Sequence, residues 1–161
     1  MRFIIASLFA ASTFIGSPAH ASSLEQRNKA VAVAFFEEVL DQGHLERYAE
    51  SHRKDFVAHA EGGRLATLEE DMAAAKGERQ VLPDMRMHVD HVVAEKDLVS
   101  ITWTVTGTNT HAGMGFPATG KTLRSTGMTL FRFVDGKIVE EWSVFDMLSV
   151  LSQLGLYAPN H

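Results

Sequence analysis

The 161-residue sequence contains no cysteine. Disulfides and thiol chemistry are therefore excluded, and an exported form of the chain has to be held together by packing alone. Basic excess is missing as well. The formal net charge is −5 and no basic stripe exists to neutralise phosphates, which excludes nucleic acid as a partner. After residue 21 no apolar run reaches membrane-spanning length. There is no G-x-S-x-G elbow for a serine nucleophile and no H-E-x-x-H or comparable zinc spacing. Neither a metal nor a cofactor is expected.

What is present begins with an export-like leader. Residues 1–21 carry Arg2, an apolar run from Phe3 to Ile15, and the small-x-small site Ala19-His20-Ala21. That pattern is a secretory signal peptide cut before Ser22, which makes 22–161 a single exported domain, periplasmic or secreted. A domain of this size can bury a core or enclose a cavity.

Along the domain, residues 24–40 have helical periodicity. Val31, Phe35 and Val39 form one stripe with Ala32, Phe36 and Leu40 beside it, and Gly43 follows as a terminator. A short helix is predicted over 45–51, an extended piece over 55–60 closed by Gly62-Gly63, and a third helix over 67–77. That helix has Thr67 as N-cap and Glu70 as its capping-box partner. Beyond Leu82-Pro83 the period becomes two. Met85, Met87, Val89, His91 and Val93 alternate with Arg86, His88 and Asp90, and Val99, Ile101, Trp103 and Val105 alternate with Ser100, Thr102, Thr104 and Thr106. A glycine-rich connection over 108–120 leads to a long strand over 122–134, the hairpin signal Asp135-Gly136, and a last strand from Lys137 to about Phe145. An apolar helix follows and stops at Gly155, with 156–161 expected as a frayed tail. Helices first and a strand meander after them make an α+β layout.

Two features invite over-reading. Gly115-Phe116-Pro117-Ala118-Thr119-Gly120-Lys121-Thr122 matches the P-loop expression, but that mechanism needs a helix beginning at Lys-Thr. The residues that follow are β-branched, and Pro117 removes an amide donor. A strand is expected there, not a nucleotide site. His88 and His91 lie three apart on a strand, so they are expected to point to opposite faces and cannot share a metal. His59, beside Phe56-Val57-Ala58, either lines a pocket or is a hydrogen-bonded core residue.

The last strand carries the carboxylates. Counting by two places Asp146, Val144, Trp142, Glu140 and Ile138 on one face, and Val139, Glu141, Ser143 and Phe145 on the other. Partial desolvation beyond Trp142 and Val144 would raise the Asp146 pKa towards that of a general base. Asp146 also directly precedes an apolar helix, and spacing alone favours an N-cap there.

Pro83-Asp84-Met85, the strand end Trp103-Thr104-Val105-Thr106-Gly107-Thr108, the loop from Gly115 to Lys121, and Asp135-Gly136-Lys137-Ile138-Val139-Glu140-Glu141-Trp142 through Asp146 together resemble the SnoaL-like polyketide cyclases, or ester cyclases. The resemblance covers most of 25–155. It implies a cone-shaped, nuclear-transport-factor-2-like (NTF2-like) fold, in which a curved antiparallel sheet and its helices pack around a hydrophobic cavity, usually in a dimer or larger homo-oligomer. It also implies cofactor-independent acid/base chemistry, an aldol-type cyclisation or related proton transfer on a small hydrophobic carbonyl compound, with Asp146 as the acid/base. His59, Asn109 or His111 would then supply hydrogen bonds to the substrate oxygen, while Trp103, Met128 and Trp142 shape the pocket. Two departures stand out: Gly107-Thr108-Asn109-Thr110-His111 replaces a common Gly-Thr-His-Thr-Gly, and Ser143 follows Trp142 where many relatives have Asp. A different class of function on the same scaffold is an exported binding protein that holds a hydrophobic ligand without turnover.

Overall fold

The structure is a computed structural model, and it describes residues 19–59 and 63–157. Most of the expected leader (1–18), the first glycine of Gly62-Gly63 and the tail residues 158–161 lie outside the described residues.

Helix α1 (Ala19–Ala34) runs into a wider π-helical stretch, Phe35–Asp41. A 3-10 turn (Leu45–Arg47), α2 (Tyr48–Ser51), β1 (His52–His59) and β2 (Leu65–Thr67) follow. Next come α3 (Leu68–Val81), β3 (Arg86–Glu95), β4 (Leu98–Thr108), β5 (Thr122–Val134), β6 (Lys137–Phe145) and α4 (Met147–Leu154). The expected capping box of α3 is formed: Thr67 Oγ1 accepts from Glu70 N, and Glu70 accepts from Thr67 N at 2.8 Å. Asp135 and Gly136 both have positive φ, 52° and 74°, as a tight primed turn between β5 and β6 requires. Thr122 opens a strand, so Lys121-Thr122 has no helix N-terminus behind it.

The six strands form one α+β sheet in the order β2-β1-β6-β5-β4-β3. It is mixed rather than purely antiparallel, because β1 runs parallel to β6. Two bulges change which side chains face inward. In β3 the register slips between Val89 and His91, leaving Asp90 as the extra residue. Val92 and Ala94 then pack on the core, while Val93 is 63% exposed. The strict alternation that would put His91 and Val93 inside therefore fails at Asp90. The same slip turns His88 and His91 to one face, the outer one, instead of to opposite faces. In β6 the slip lies between Ile138 and Glu140, with Val139 extra. Ile138 is fully buried, and beyond the bulge the inward positions are Glu141, Ser143 and Phe145.

The core has two parts. One gathers Phe35, Phe36, Val39, Tyr48, Phe56, Val99, Ile101, Phe131, Phe133 and Ile138 under the first helix. The other gathers Val81, Leu82, Met85, Leu123 and Leu154 near α4. Arg79 fastens the end of the π-helical stretch to α3 by donating to the carbonyls of Leu40, Asp41 and Met85. Side chains from both clusters line the cavity that lies between them.

Candidate active site

The cavity measures about 380 Å³, within the range of small-molecule sites. Its wall is mostly apolar: Phe35, Phe36, Leu82, Trp103, Phe131 and Leu154 contribute from four elements and the α3–β3 connection. Met114 and Phe116, from the loop between β4 and β5, close one side, so the glycine-rich loop does border the cavity. Asp71 of α3 and Glu141 of β6 supply its interior carboxyls, while Glu70 and Glu78 of α3 line it with side chains that also reach solvent.

Glu141 is the end point of a hydrogen-bond chain across three strands. Trp103 Nε1 of β4 donates to Thr129 Oγ1 of β5 at 3.0 Å. The Thr129 and Ser143 hydroxyl oxygens are 2.7 Å apart, and Ser143 Oγ donates to Glu141 Oε1 at 2.7 Å. Indole N–H only donates, and the Ser143 proton is committed to Glu141, so Thr129 must donate to Ser143. All three protons therefore point towards the Glu141 carboxyl. Gly127 makes room for the first member. A Cβ there would stand 2.3 Å from Trp103 Cζ2, so the indole can lie over β5 only because residue 127 lacks a side chain.

Burial sets the protonation of this site. Removal from solvent pushes the Glu141 carboxyl up to about 8, and the nearby Asp71 and Glu78 charges push the same way while the Ser143 bond opposes them. Glu141 keeps some accessible surface, and that surface faces the cavity. Glu78 is lifted to about 7, first by burial and then by Asp71. Its side chain reaches solvent as well as the cavity, so water offsets part of that lift. Asp71 is also raised by burial, although the Tyr48 hydroxyl donates to it and opposes the rise. A carboxyl with a pKa near neutrality, facing an apolar cavity, can both take and return a proton there.

The residues singled out from sequence are distributed unevenly about this cavity. Trp103 lines it. His59 borders it, but its ring stacks on Trp142 at 4.5 Å, and its Nε2 lies 3.4 Å from Glu140 Oε1. Asp146 is exposed, accepts from Ser149 N at 2.9 Å as the N-cap of α4, and is not among the lining residues. Trp142 shares its outward parity and sits on the outer face, with the Arg132 guanidinium 5.7 Å from its ring centre. Met128 is also outward, 45% exposed and paired with Val144. Asn109 is fully buried, but its amide works as a loop clasp: Oδ1 accepts from Thr119 N and Oγ1 at 2.7 and 2.8 Å, and Nδ2 donates to the His111 carbonyl. The His111 ring is exposed and meets Thr110 Oγ1. The Val139 bulge is the physical reason that the Glu141 face, rather than the Asp146 face, meets the cavity.

Sequence reasoning passed over Glu141, Asp71, Glu78, Tyr48 and the Thr129–Ser143 pair. Glu141 and Ser143 were legible as a face of β6, and buried Ile138 beside outward Glu140 is the sign that this face turns inward. Asp71 and Glu78, seven apart, recur on one side of α3 after two turns. Among the described residues, no group of three or more His, Asp or Glu side chains is disposed to hold a metal ion.

The SnoaL-like polyketide cyclase family matches residues 30–154. Solved structures with the same fold include AclR from Streptomyces galilaeus, a proposed hydroxylase: 26% identity, TM-score 0.76, 85% of this chain and 90% of that one. IdmH from Streptomyces antibioticus, a proposed polyketide cyclase, is 28% identical with a TM-score of 0.70, over 80% of this chain and 98% of its own. A proposed SnoaL-like polyketide cyclase from Jannaschia sp. CCS1 is 21% identical with a TM-score of 0.76, over 88% and 97% of the two chains, and speaks for the fold alone. Among curated proteins none matches. With its mixed curved sheet, covering helices and cavity, and a family match over most of its length, the chain belongs to the SnoaL-like polyketide cyclase family.

Proposed function

We propose that this protein is a cofactor-independent acid/base enzyme acting on a hydrophobic carbonyl compound held in the cavity. Glu141 takes a proton from the carbon next to the carbonyl, and the resulting enolate attacks a second carbonyl of the same molecule or is reprotonated elsewhere. In the aldol case, the alkoxide formed recovers the proton from Glu141, so the carboxyl ends as it began. The Tyr48 hydroxyl, once released from Asp71, and a protonated Glu78 are O–H groups on the cavity wall that can stabilise oxygen charge during the step. The observation that carries this reading is the Glu141 carboxyl, raised to about 8 on the wall of an apolar cavity and oriented by Ser143.

The substrate need not be known to test it. Aryl ketones small enough for the cavity are incubated in deuterated water, and exchange at the α-carbon is followed by proton NMR. The expected result is exchange by the wild type, loss of it in Glu141→Gln, and retention in Asp146→Asn. Exchange that survives Glu141→Gln but not Asp146→Asn returns the acid/base role to Asp146. Ligand binding with no exchange by any form favours the non-catalytic binding protein.

Two further readings belong to the same proposal. The leader pattern of residues 1–21 supports export and a mature chain beginning at Ser22, which the intact mass of the protein recovered outside the cytoplasm tests. Met128 and Val144, adjacent and exposed on the outer sheet face, support self-association there, which light scattering of the wild type and Val144→Lys tests.

A further inference from the structure

The cavity is charged on one side only. Asp71, Glu78 and Glu141 line it, and none of the three belongs to an ion pair among the described residues. Their recorded partners are hydroxyls: Tyr48 for Asp71 and Ser143 for Glu141. The cations nearby are committed elsewhere. Arg64, at the rim, is held by Glu70 at 3.1 Å. Arg79, next to Glu78 in sequence, is spent on three backbone carbonyls. His59, from β1, is stacked on Trp142 and turned to Glu140. The polar groups contributed by β4 and β5, on Trp103, Thr129 and Ser125, are uncharged. Among the described residues a mostly apolar chamber thus gathers three carboxyls with no free cation to pair them, and burial keeps Glu141 protonated near neutrality instead.

A second observation lies at the other end of the chamber. Ser125, on the inward face of β5, lines the cavity at 5% exposure, and its Oγ has no hydrogen-bond partner among the described residues. It sits four residues along the strand from Thr129, roughly 13 Å at about 3.3 Å per residue. A buried hydroxyl without a partner is uncommon enough to call for one.

We infer that the cavity takes an elongated apolar molecule bearing a protonated amine, with the ammonium at Asp71 and Glu78 beside Glu141, the reacting carbonyl next to it, and a second carbonyl or hydroxyl at the far end on Ser125. The inference rests on this cavity being the substrate site and names the class of substrate. An ammonium supplies the missing counter-charge and brings three N–H donors to carboxylates that otherwise face only hydroxyls. A neutral molecule of the same shape gains the apolar contacts but leaves the carboxyls without a cation, and a carboxylate brings a like charge to them. Because Glu141 holds a proton near neutrality, an entering ammonium displaces part of that proton population, so binding near pH 7 releases protons to the buffer.

The test is calorimetric binding of 2-(naphthalen-2-yl)ethylamine, the matching alcohol and naphthylacetate at pH 7, in two buffers of different ionisation enthalpy. The amine is expected to bind about ten-fold tighter than the alcohol, the worth of one charge-assisted contact, with the carboxylate weakest. Its apparent enthalpy should differ between buffers in the direction of proton release. Glu141→Gln and Glu78→Gln should each shrink the amine-to-alcohol ratio while leaving alcohol affinity in place. Adding a 6-acetyl group to the amine should tighten binding to the wild type but not to Ser125→Ala. Equal affinity for amine and alcohol, an unchanged ratio in both Gln variants, or no binding by the amine overturns the inference. No gain from the acetyl group removes its Ser125 end. Failure of the catalytic reading looks different: the amine preference stays intact, and no α-proton exchange is seen with any ketone.

Discussion

Replacing Glu141 by Gln keeps its shape and its capacity to accept from Ser143, and removes only the ability to ionise. The folded pKa of Glu141 is about 8 against an ordinary value of 4.5. Between those limits the folded protein holds a proton that the unfolded chain has released. The contribution of Glu141 is therefore fully present below pH 4.5 and is lost as pH rises through 8. At about 1.36 kcal/mol per pH unit, the loss accumulates to at most about 5 kcal/mol, a large share of the stability of a domain this size. The true figure is smaller to the extent that the cavity is wet, because water in it screens the carboxylate.

The assay is urea unfolding of wild type and Glu141→Gln at half-unit intervals from pH 4.5 to 9. The wild-type curve alone would mislead, because other groups titrate in the same interval, so the difference between the two proteins is the quantity to follow. It should grow in favour of the variant by up to about 1.4 kcal/mol per unit and level off above pH 8. A flat difference across this interval would refute the desolvation argument and, with it, the basis for Glu141 as a base at neutral pH. A difference that grows but levels off near pH 6 would keep the sign and reduce the magnitude.

Three other outcomes follow from the geometry. His52 is buried, donates Nδ1–H to the Tyr48 carbonyl at 2.9 Å, leaves Nε2 without a partner among the described residues, and has its pKa pushed down to about 4 by burial. Its contribution is therefore present above pH 6.5 and is lost as pH falls towards 4, by about 3 kcal/mol, and His52→Asn should remove this acid-side slope in denaturant titrations. Gly127→Ala drives a methyl into Trp103, so it should cost about 1–3 kcal/mol and shift Trp103 fluorescence, read in a Trp142→Phe background. Asp146→Ala should lose about 0.5–2 kcal/mol of stability through the α4 cap while leaving α-proton exchange at the wild-type rate per folded molecule.

The fold was legible in the sequence because its signals are local. Thr67 and Glu70 announce the start of α3, Asp135-Gly136 the last hairpin, and Gly155, at φ 72°, the end of α4. The parallel pairing of β1 with β6 was not legible, since nothing near His52–His59 states which of several strands it will meet. The site was legible only in part, for a related reason. Which carboxylate of β6 faces the cavity depends on a parity, and a single extra residue at Val139 inverts it for everything that follows.

That inversion has a consequence for Asp146. With no bulge, Asp146 and Trp142 would point inward and Glu141 would be a surface residue whose pKa stays ordinary. With it, the same eight-residue stretch puts Glu141, Ser143 and Phe145 inside and leaves Glu140 to pair outside with Arg132 at 2.7 Å. The bulge therefore separates two adjacent carboxylates into one that is salt-bridged on the outer face and one that is desolvated and held by a serine. Ser143 fits this arrangement. An aspartate at 143 would add a further negative charge beside Glu141 and remove the hydroxyl that links it to Thr129. Ser143→Asp is thus expected to abolish α-proton exchange by disrupting the chain, whereas Ser143→Thr, which keeps a hydroxyl, should retain it. If Ser143→Asp exchanges as fast as the wild type, a carboxylate at 143 can itself serve as the base, and the chain from Trp103 is dispensable.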